Sequence, residues 1–375
     1  MKILIFNLNF DLSPFIYNDT LYLDKRHDVR VLCETSDIDE RFDNSKVYQF
    51  SRNEDSLKSK FSNFLISHDL RLSHSDKNLR TLFKKYIDDF KPDIIQCHYG
   101  DESLILLDNI NHNNIPIVVM FHGYDASAWI RNKTYVNKYK NIFKSSNISA
   151  ITCSNDMKSR LISKGFPEEK MSVLYYGIDL NFYSKESQEK NDVKTFTQIA
   201  VFRRKKGIEY TIRAFKLYSE RHGDRDFKLI LGGEGVLKEK MINLCKELNI
   251  QDLVEFPGWL DQNGVKKLLN RSDYFIYHSV TGVDGDMEGI PNSIIEAMAM
   301  ELPVISTYHS GIPELVENKV NGFLVPERDI QKYSEAIASI VPFNKLELNK
   351  EKVEHKFNLK KRNKNIEEYL LSLAQ

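Results

Sequence analysis

The sequence predicts an α/β protein built from two doubly wound parallel-sheet domains, and three observations carry that reading. Short, continuously apolar runs alternate with helical or polar stretches. Continuous rather than alternating apolarity marks parallel strands covered on both faces. The runs form two series, separated at residues 179–194 by a polar stretch rich in Lys, Glu, Ser and Asn without a periodic apolar pattern. A length of 375 residues suits two ordinary domains.

In the first series, strands are expected at residues 2–6, 28–33, 93–98, 115–121, 148–153 and 171–175. The opening run is too short for a signal peptide or a membrane span and is read as the first strand. Ligands of such sheets bind beyond the carboxyl ends of the strands. Three of those ends carry pointed chemistry: residues 7–13, His98-Tyr99-Gly100-Asp101 and His122-Gly123-Tyr124-Asp125. The second series reads as strand 196–202, helix 207–221, strand 227–231, helix 236–248, strand 254–257, helix 263–270 and strand 274–278. Ile208, Ile212 and Phe215 recur at i, i+4, i+7, an apolar helical stripe. From Asp329 the tail is helical and charged. The expected division is domain 1–180, linker 181–194, domain 195–345 and a terminal helical segment 346–375.

The stretch 283–304 is the chemical centre of the second series. Gly285 and Gly289 make its start a turn-rich loop. Pro291 and Asn292 look like a helix start, with Asn and Ser as capping types, and Pro303 ends the helix. A glycine loop opening into a helix N-terminus presents free N–H groups to an anion. Glu288 lies in the loop and Glu296 about one turn inside the helix, both close to that anion. Ionised carboxylates beside a phosphate need other partners, and sugar hydroxyls suit them, since carboxylates only accept hydrogen bonds. The competing reading is a helix cap with a surface glutamate. The basic turn Arg203-Arg204-Lys205-Lys206-Gly207 follows a strand and opens a helix, so its cations are placed to offset a diphosphate. Its competing reading is a solvated turn, preferred for Lys205.

Net charge is +0, hydrophobic content 41% and charged content 28%, which describe a globular chain whose overall field favours neither nucleic acid nor membrane. Cys33, Cys97, Cys153 and Cys245 have no metal or redox spacing; the first three lie in strand-like runs and are expected as buried reduced thiols, which fits the cytoplasm. Arg131, Lys133, Lys138, Lys140 and Lys144, interleaved with Trp129, Ile130, Tyr135 and Tyr139, could lie on anionic lipid. Residues 51–91 add cations among Phe61, Phe64, Leu65 and Phe83. The alternative for both is a solvated helix face.

Glu288-Gly-Ile-Pro-Asn-Ser-Ile-Ile-Glu296-Ala-Met-Ala, followed by Ser310-Gly-Ile-Pro-Glu-Leu-Val316 and Asn321-Gly-Phe-Leu-Val325, resembles the retaining glycosyltransferases of family four. The likeness spans nearly the whole chain and is strongest over residues 199–325. The first half, with its His98 and His122 turns, is similar to the colanic-acid and capsule type of surface-polysaccharide transferase. Many members carry a paired-glycine loop after the first strand, where this chain has Asn7-Leu8-Asn9-Phe10.

The resemblance implies the GT-B fold, two Rossmann-like domains facing each other across a cleft, with the final helix crossing back to the first. It implies that Glu288 holds hydroxyls of the donor sugar and Glu296 those of ribose. Gly289, Ile290, Pro291, Asn292 and Ser293 receive the phosphates, and Lys206 with Arg203 (Arg204 a near rival) offsets the diphosphate. It places His122 beside the transferring sugar and Gly233 near the nucleotide. Gly258 and Trp259 are expected to flank the base, with a core aromatic the competing reading of Trp259. The acceptor side is assigned Asn9, Ser13, His98 and Asp125; for His98 and His122 a structural role is the alternative. No Asp-x-Asp loop stands where a metal-dependent transferase places one, and neither metal nor cofactor is expected beyond the nucleotide-diphosphate sugar (UDP or GDP) used as donor. The expected activity is sugar transfer, with retention, to a glycan or lipid-linked glycan in bacterial surface-polysaccharide synthesis, in the cytoplasm or against its membrane face. The rivals are a GT-B enzyme on soluble acceptors, of the sucrose-phosphate-synthase or epimerase kind, and a non-catalytic nucleotide-sugar-binding protein.

Overall fold

A computed structural model describes residues 1–10, 14–35, 41–51, 74–111, 114–186, 193–343 and 347–374. The chain divides into two units, one formed by Met1–Tyr175 with Arg362–Gln375 and the other by Tyr176–Lys361.

In the first unit the elements run β1 (Lys2–Phe6), α1 (Pro14–Asp24), β2 (Asp28–Cys33), β3 (Val47–Gln49), α2 (Lys77–Phe90), β4 (Ile94–His98), α3 (Gly100–Leu107), β5 (Ile117–Phe121), α4 (Lys133–Ile142), β6 (Ile148–Thr152), α5 (Asn155–Ser163) and β7 (Met171–Val173). The strands pair in the order β3-β2-β1-β4-β5-β6-β7, every pair parallel. Each of β4 and β5 is buried at every position, as sheet centres covered on both faces require. All four cysteines are buried free thiols.

The second unit runs β8 (Lys194–Ile199), α6 (Ile208–His222), β9 (Phe227–Gly232), α7 (Lys238–Glu247), β10 (Val254–Gly258), α8 (Gln262–Asn270), β11 (Tyr274–Tyr277), α9 (Asn292–Ala299), β12 (Val304–Thr307), α10 (Ile312–Leu315), β13 (Gly322–Val325), α11 (Ile330–Ile340) and α12 (Glu347–Lys356). Its sheet order is β10-β9-β8-β11-β12-β13, again all parallel. The stripe expected on α6 is real: Ile212 and Phe215 are fully buried and Ile208 nearly so. The last helix, α13 (Leu359–Leu373), carries Ile366 and Leu370 into the first unit's core beside Ile3, Ile5, Val29 and Val31.

The chain steps outward from β8 to β9 and β10, then returns to start again at β11 on the other side. Strand order therefore reverses between β8 and β11, and in the first unit between β1 and β4. At such a switch point the loops splay apart and leave a crevice at the carboxyl ends of the strands. Right-handed crossovers taken in opposite directions also put α6 and α7 on one face of the second sheet and α9 on the other.

Candidate functional site

The second unit's crevice is framed by two loops, residues 200–207 after β8 and 278–291 after β11. The first is a tight 3-10 turn, Arg204–Lys206, ending at Gly207 with φ +60. A Cβ there would lie 1.6 Å from the His278 carbonyl oxygen, so only glycine lets this turn press against the end of β11. Gln198 on β8 locks it: its Nε2 donates to the Lys206 carbonyl at 2.8 Å while Thr211 donates to its Oε1. The Val280 N–H donates to the Lys205 carbonyl.

This clamp sends two lysines to two carboxylates of the second loop. Lys206 Nζ lies 2.5 Å from Glu288 Oε1, with both side chains mostly buried, and 5.7 Å from the centre of the Tyr277 ring. Lys205 Nζ lies 2.9 Å from Asp286 Oδ2, so it is ion-paired rather than solvated. Burial alone would lower the Lys206 pKa, but Glu288 and Tyr277 override it and hold the ammonium charged. Burial likewise raises Glu288, yet Lys206 and Lys205 bring its carboxyl below the ordinary value. The pair is a fixed zwitterion beside the start of α9.

The cap of that helix differs from the expectation. The N-cap is Pro291, which offers no side-chain acceptor; Asn292 is already helical, and its Oδ1 is buried without a partner among the described residues. A proline cap leaves the first-turn N–H groups to whatever sits in front of them. Glu296, one turn along, is partly buried, and burial pushes its carboxyl up to about 7 despite a hydrogen bond from Tyr183. Tyr183 is itself buried, although it lies in the stretch read as linker.

A further pair orients the loop, and sequence reasoning missed it. The N–H of Glu288 donates to His309 Nε2 at 3.0 Å, and His309 Nδ1 lies 2.6 Å from Glu327 Oε1. Accepting the N–H requires a lone pair on Nε2, so Nδ1 carries the proton and donates it to Glu327. Glu327 also accepts from the N–H and hydroxyl of Thr281; burial would raise its carboxyl, but these bonds hold it down at about 2. Ser310 Oγ donates to the Glu288 carbonyl at 2.6 Å. Both ends of the Glu288 peptide are thus fastened to the turn after β12. The only trace in the sequence is a His before the Ser-Gly turn and a Glu after the next strand.

Gly233 and Gly258 close the crevice on the β9–β10 side. Gly233, at φ +130, would put a Cβ 2.0 Å from the Ala200 oxygen, and its N–H donates to the Gly258 carbonyl. Trp259 follows and is 73% exposed, which overturns the core-aromatic alternative. Arg203 does not join Lys206. It lines, with Arg204, a separate hollow of about 470 Å³ that neither Lys206 nor Glu288 lines.

In the first unit, His98 ends β4 fully buried, and its Nδ1 lies 3.1 Å from His122 Nε2. Phe15 and Tyr99 pack on the His122 ring. Burial, with His98 and Arg362 nearby, lowers the His122 pKa well below the ordinary value, so the ring is neutral at pH 7. Asp125 is fully buried and accepts N–H groups of Gly100, His122, Gly123 and Ala126. Its carboxylate is used up in holding the His122 turn and is not presented to an acceptor. Tyr99, at φ +58, is a strained non-glycine residue at the start of α3. Asn9 accepts from Thr35. Neighbouring Asn7 is buried with no side-chain partner among the described residues. Ser13 and residues 52–73 lie outside the described residues.

In the basic aromatic stretch the cations Arg131, Lys133, Lys140 and Lys144 are exposed while most of the apolar residues turn inward. Tyr135 and Tyr139 are fully buried, Ile130 nearly so, and Lys138 pairs with Asp108 at 2.5 Å. On α2, Phe83 is fully buried. No helix among the described residues is long and apolar enough to cross a membrane.

Two parallel sheets of this order, with a zwitterion and an open helix N-terminus at the switch point, define a GT-B glycosyltransferase architecture. Family models agree: "Glycosyltransferase Family 4" matches residues 15–182 and "Glycosyl transferases group 1" residues 180–362. The chain is 32% identical over 293 residues to the protein named "Putative colanic acid biosynthesis glycosyltransferase WcaL" of Escherichia coli, covering 76% of this chain and 71% of that one. It is 30% identical over 263 residues to the amylovoran biosynthesis glycosyltransferase AmsK of Erwinia amylovora, covering 68% and 64%. Among solved structures, Anabaena HepE in complex with UDP and glucose superposes with a TM-score of 0.77 at 17% identity, over 99% of this chain and 100% of that one. The chain belongs to the family-four glycosyltransferases, and these two relatives are named for colanic acid and amylovoran biosynthesis.

Proposed function

We propose that the protein transfers a sugar, with retention and without a metal, from a UDP- or GDP-sugar to a glycan or lipid-linked glycan during bacterial surface-polysaccharide synthesis. The supporting observation is the Lys206–Glu288 pair set before the uncapped start of α9. A donor diphosphate there meets the Lys206 ammonium and free N–H groups, which supply the positive charge a leaving diphosphate needs. Displaced from Lys206 by the phosphates, Glu288 is free to accept from sugar hydroxyls. Glu296 accepts from the ribose hydroxyls. In the first unit, neutral His122 is the group we assign to a hydroxyl of the transferred sugar. In the reaction the bond from C1 to the β-phosphate oxygen breaks as the acceptor oxygen bonds to C1 on the same face. The acceptor's proton passes to the departing diphosphate. The relatives' names, which place them in colanic acid and amylovoran biosynthesis, support the acceptor class.

Thermal-shift measurements with UDP, GDP and ADP test the binding half. One nucleotide is expected to raise the unfolding midpoint of the wild type and to do so far less in Lys206→Ala. The anomeric configuration of the product, read by NMR, tests retention. No shift with any nucleotide, or an inverted product, would sink the proposal.

A further inference from the structure

The turn that aims Lys206 at Glu288 opens on its other side into the hollow lined by Arg203 and Arg204. Its volume, about 470 Å³, is that of a small-molecule site. Its wall carries four cations, Arg203, Arg204, Lys240 and Arg328, against one carboxylate, Glu209. Arg328 is paired to Glu327 at 2.9 Å, and Lys240 reaches Glu209 only at 3.7 Å. Arg203 and Arg204 are exposed and have no ion-pair partner among the described residues. The start of α6, a fifteen-residue helix with no side-chain cap, adds its N–H groups at Ile208 and Glu209.

Apart from Thr281 and the Tyr210 hydroxyl, the rest of the wall is apolar, including Phe202, Ile208, Met241 and Val283. Apolar exposure accompanies this lining: Val283 is 80% exposed, and Val201 (50%) and Val236 (90%) are next in sequence to the lining residues Phe202 and Leu237. Uncovered aliphatic groups beside unpaired arginines suit a ligand that is anionic at one end and apolar at the other. The hollow shares the loops 200–207 and 278–291 with the crevice but faces away from the residues proposed to hold the donor. Lys206, Glu288 and Glu296 do not line it, and it opens at α6 and α7, across the sheet from α9.

We propose that this hollow is a second anion site, taking the phosphate or diphosphate head of a single amphiphilic ester molecule while its apolar part lies along Val283 and Val236. Binding here requires nothing of the glycosyl-transfer reading.

The test is calorimetry on the full chain with inorganic pyrophosphate and with geranyl diphosphate, each with and without saturating UDP. Geranyl diphosphate is expected to bind at least tenfold more tightly than pyrophosphate and to bind whether or not UDP is present. Arg204→Ala and Lys240→Ala, both exposed positions, should each weaken it about tenfold and leave the UDP thermal shift unchanged. Lys206→Ala should do the reverse. Competition with UDP, equal affinity for the two anions, or indifference to Arg204→Ala and Lys240→Ala would overturn the proposal. So would binding to phosphatidylglycerol vesicles without binding of the monomeric ester. If UDP fails to bind while the Arg204- and Lys240-dependent site persists, the donor reading falls and the second site stands.

Discussion

Lys206 and Glu288 satisfy each other, so removing one strands the other in a poorly solvated place. Lys206→Met or Glu288→Gln alone is expected to cost about 3 kcal/mol of unfolding free energy. The double variant should recover much of that loss, since two neutral side chains strand no charge; denaturant titration of all three reads the coupling. Glu296 makes a second prediction. Its folded carboxyl, at about 7, lies above the ordinary 4.5, so the folded state holds a proton that the unfolded state releases. Stability from this group is present below 4.5 and declines as pH rises toward 7. Nucleotide affinity runs the opposite way, because ribose hydroxyls need the ionised form. The ionised fraction rises about tenfold from pH 6 to pH 8, and UDP affinity should gain that slope relative to Glu296→Gln. His309 acts through the Glu288 peptide, so His309→Ala should lower turnover with little change in UDP affinity. His309→Gln, which can accept and donate at once, should restore part of it. A parallel loss of UDP binding would argue against this positioning role. The sequence revealed Lys206, Glu288 and Glu296 because each lies in a local pattern. His309 and Tyr183 escaped it because their partners are 21 and 113 residues away and meet them only through the fold.

At the scale of elements, the hinge of the site is the turn at Gly207. Gly207→Ala adds a methyl into the His278 carbonyl at a positive φ. The left-handed backbone costs about 1–2 kcal/mol and the overlap another 1–3 kcal/mol. A drop of about 2–5 kcal/mol in stability is expected, with loss of UDP binding; a tolerated Gly207→Ala would show that the turn need not touch β11. The long strands were legible because burial on both faces demands unbroken apolar runs. Strand β3, Val47-Tyr48-Gln49, was not, because it is short and only half-buried. Helix α3 shows in the sequence only as the turn at its start, although its residues 103–107 are buried and apolar apart from Ser103. The tyrosines of α4 mislead in the opposite direction: Tyr135 and Tyr139 stand at i and i+4, the spacing of a core stripe, while Lys133 and Lys140 stay exposed.

For the molecule as a whole, the telling contact joins residues 343 positions apart. Arg362 and Asp19 form an ion pair with both side chains buried, although burial keeps the Asp19 carboxyl above its ordinary value. Ending the chain after Lys361 would leave Asp19 unpaired and uncover the core around Ile3 and Val29. The first unit should then be digested by protease well before the second, whose residues 176–361 should persist and still respond to UDP. Equal resistance of the two units would show that the last helix contributes little. The same arrangement sets an order of assembly during synthesis. The second unit is one unbroken run and closes on its own residues, while the first, although translated earlier, must wait for residues 362–375. The half made first is the last to be finished.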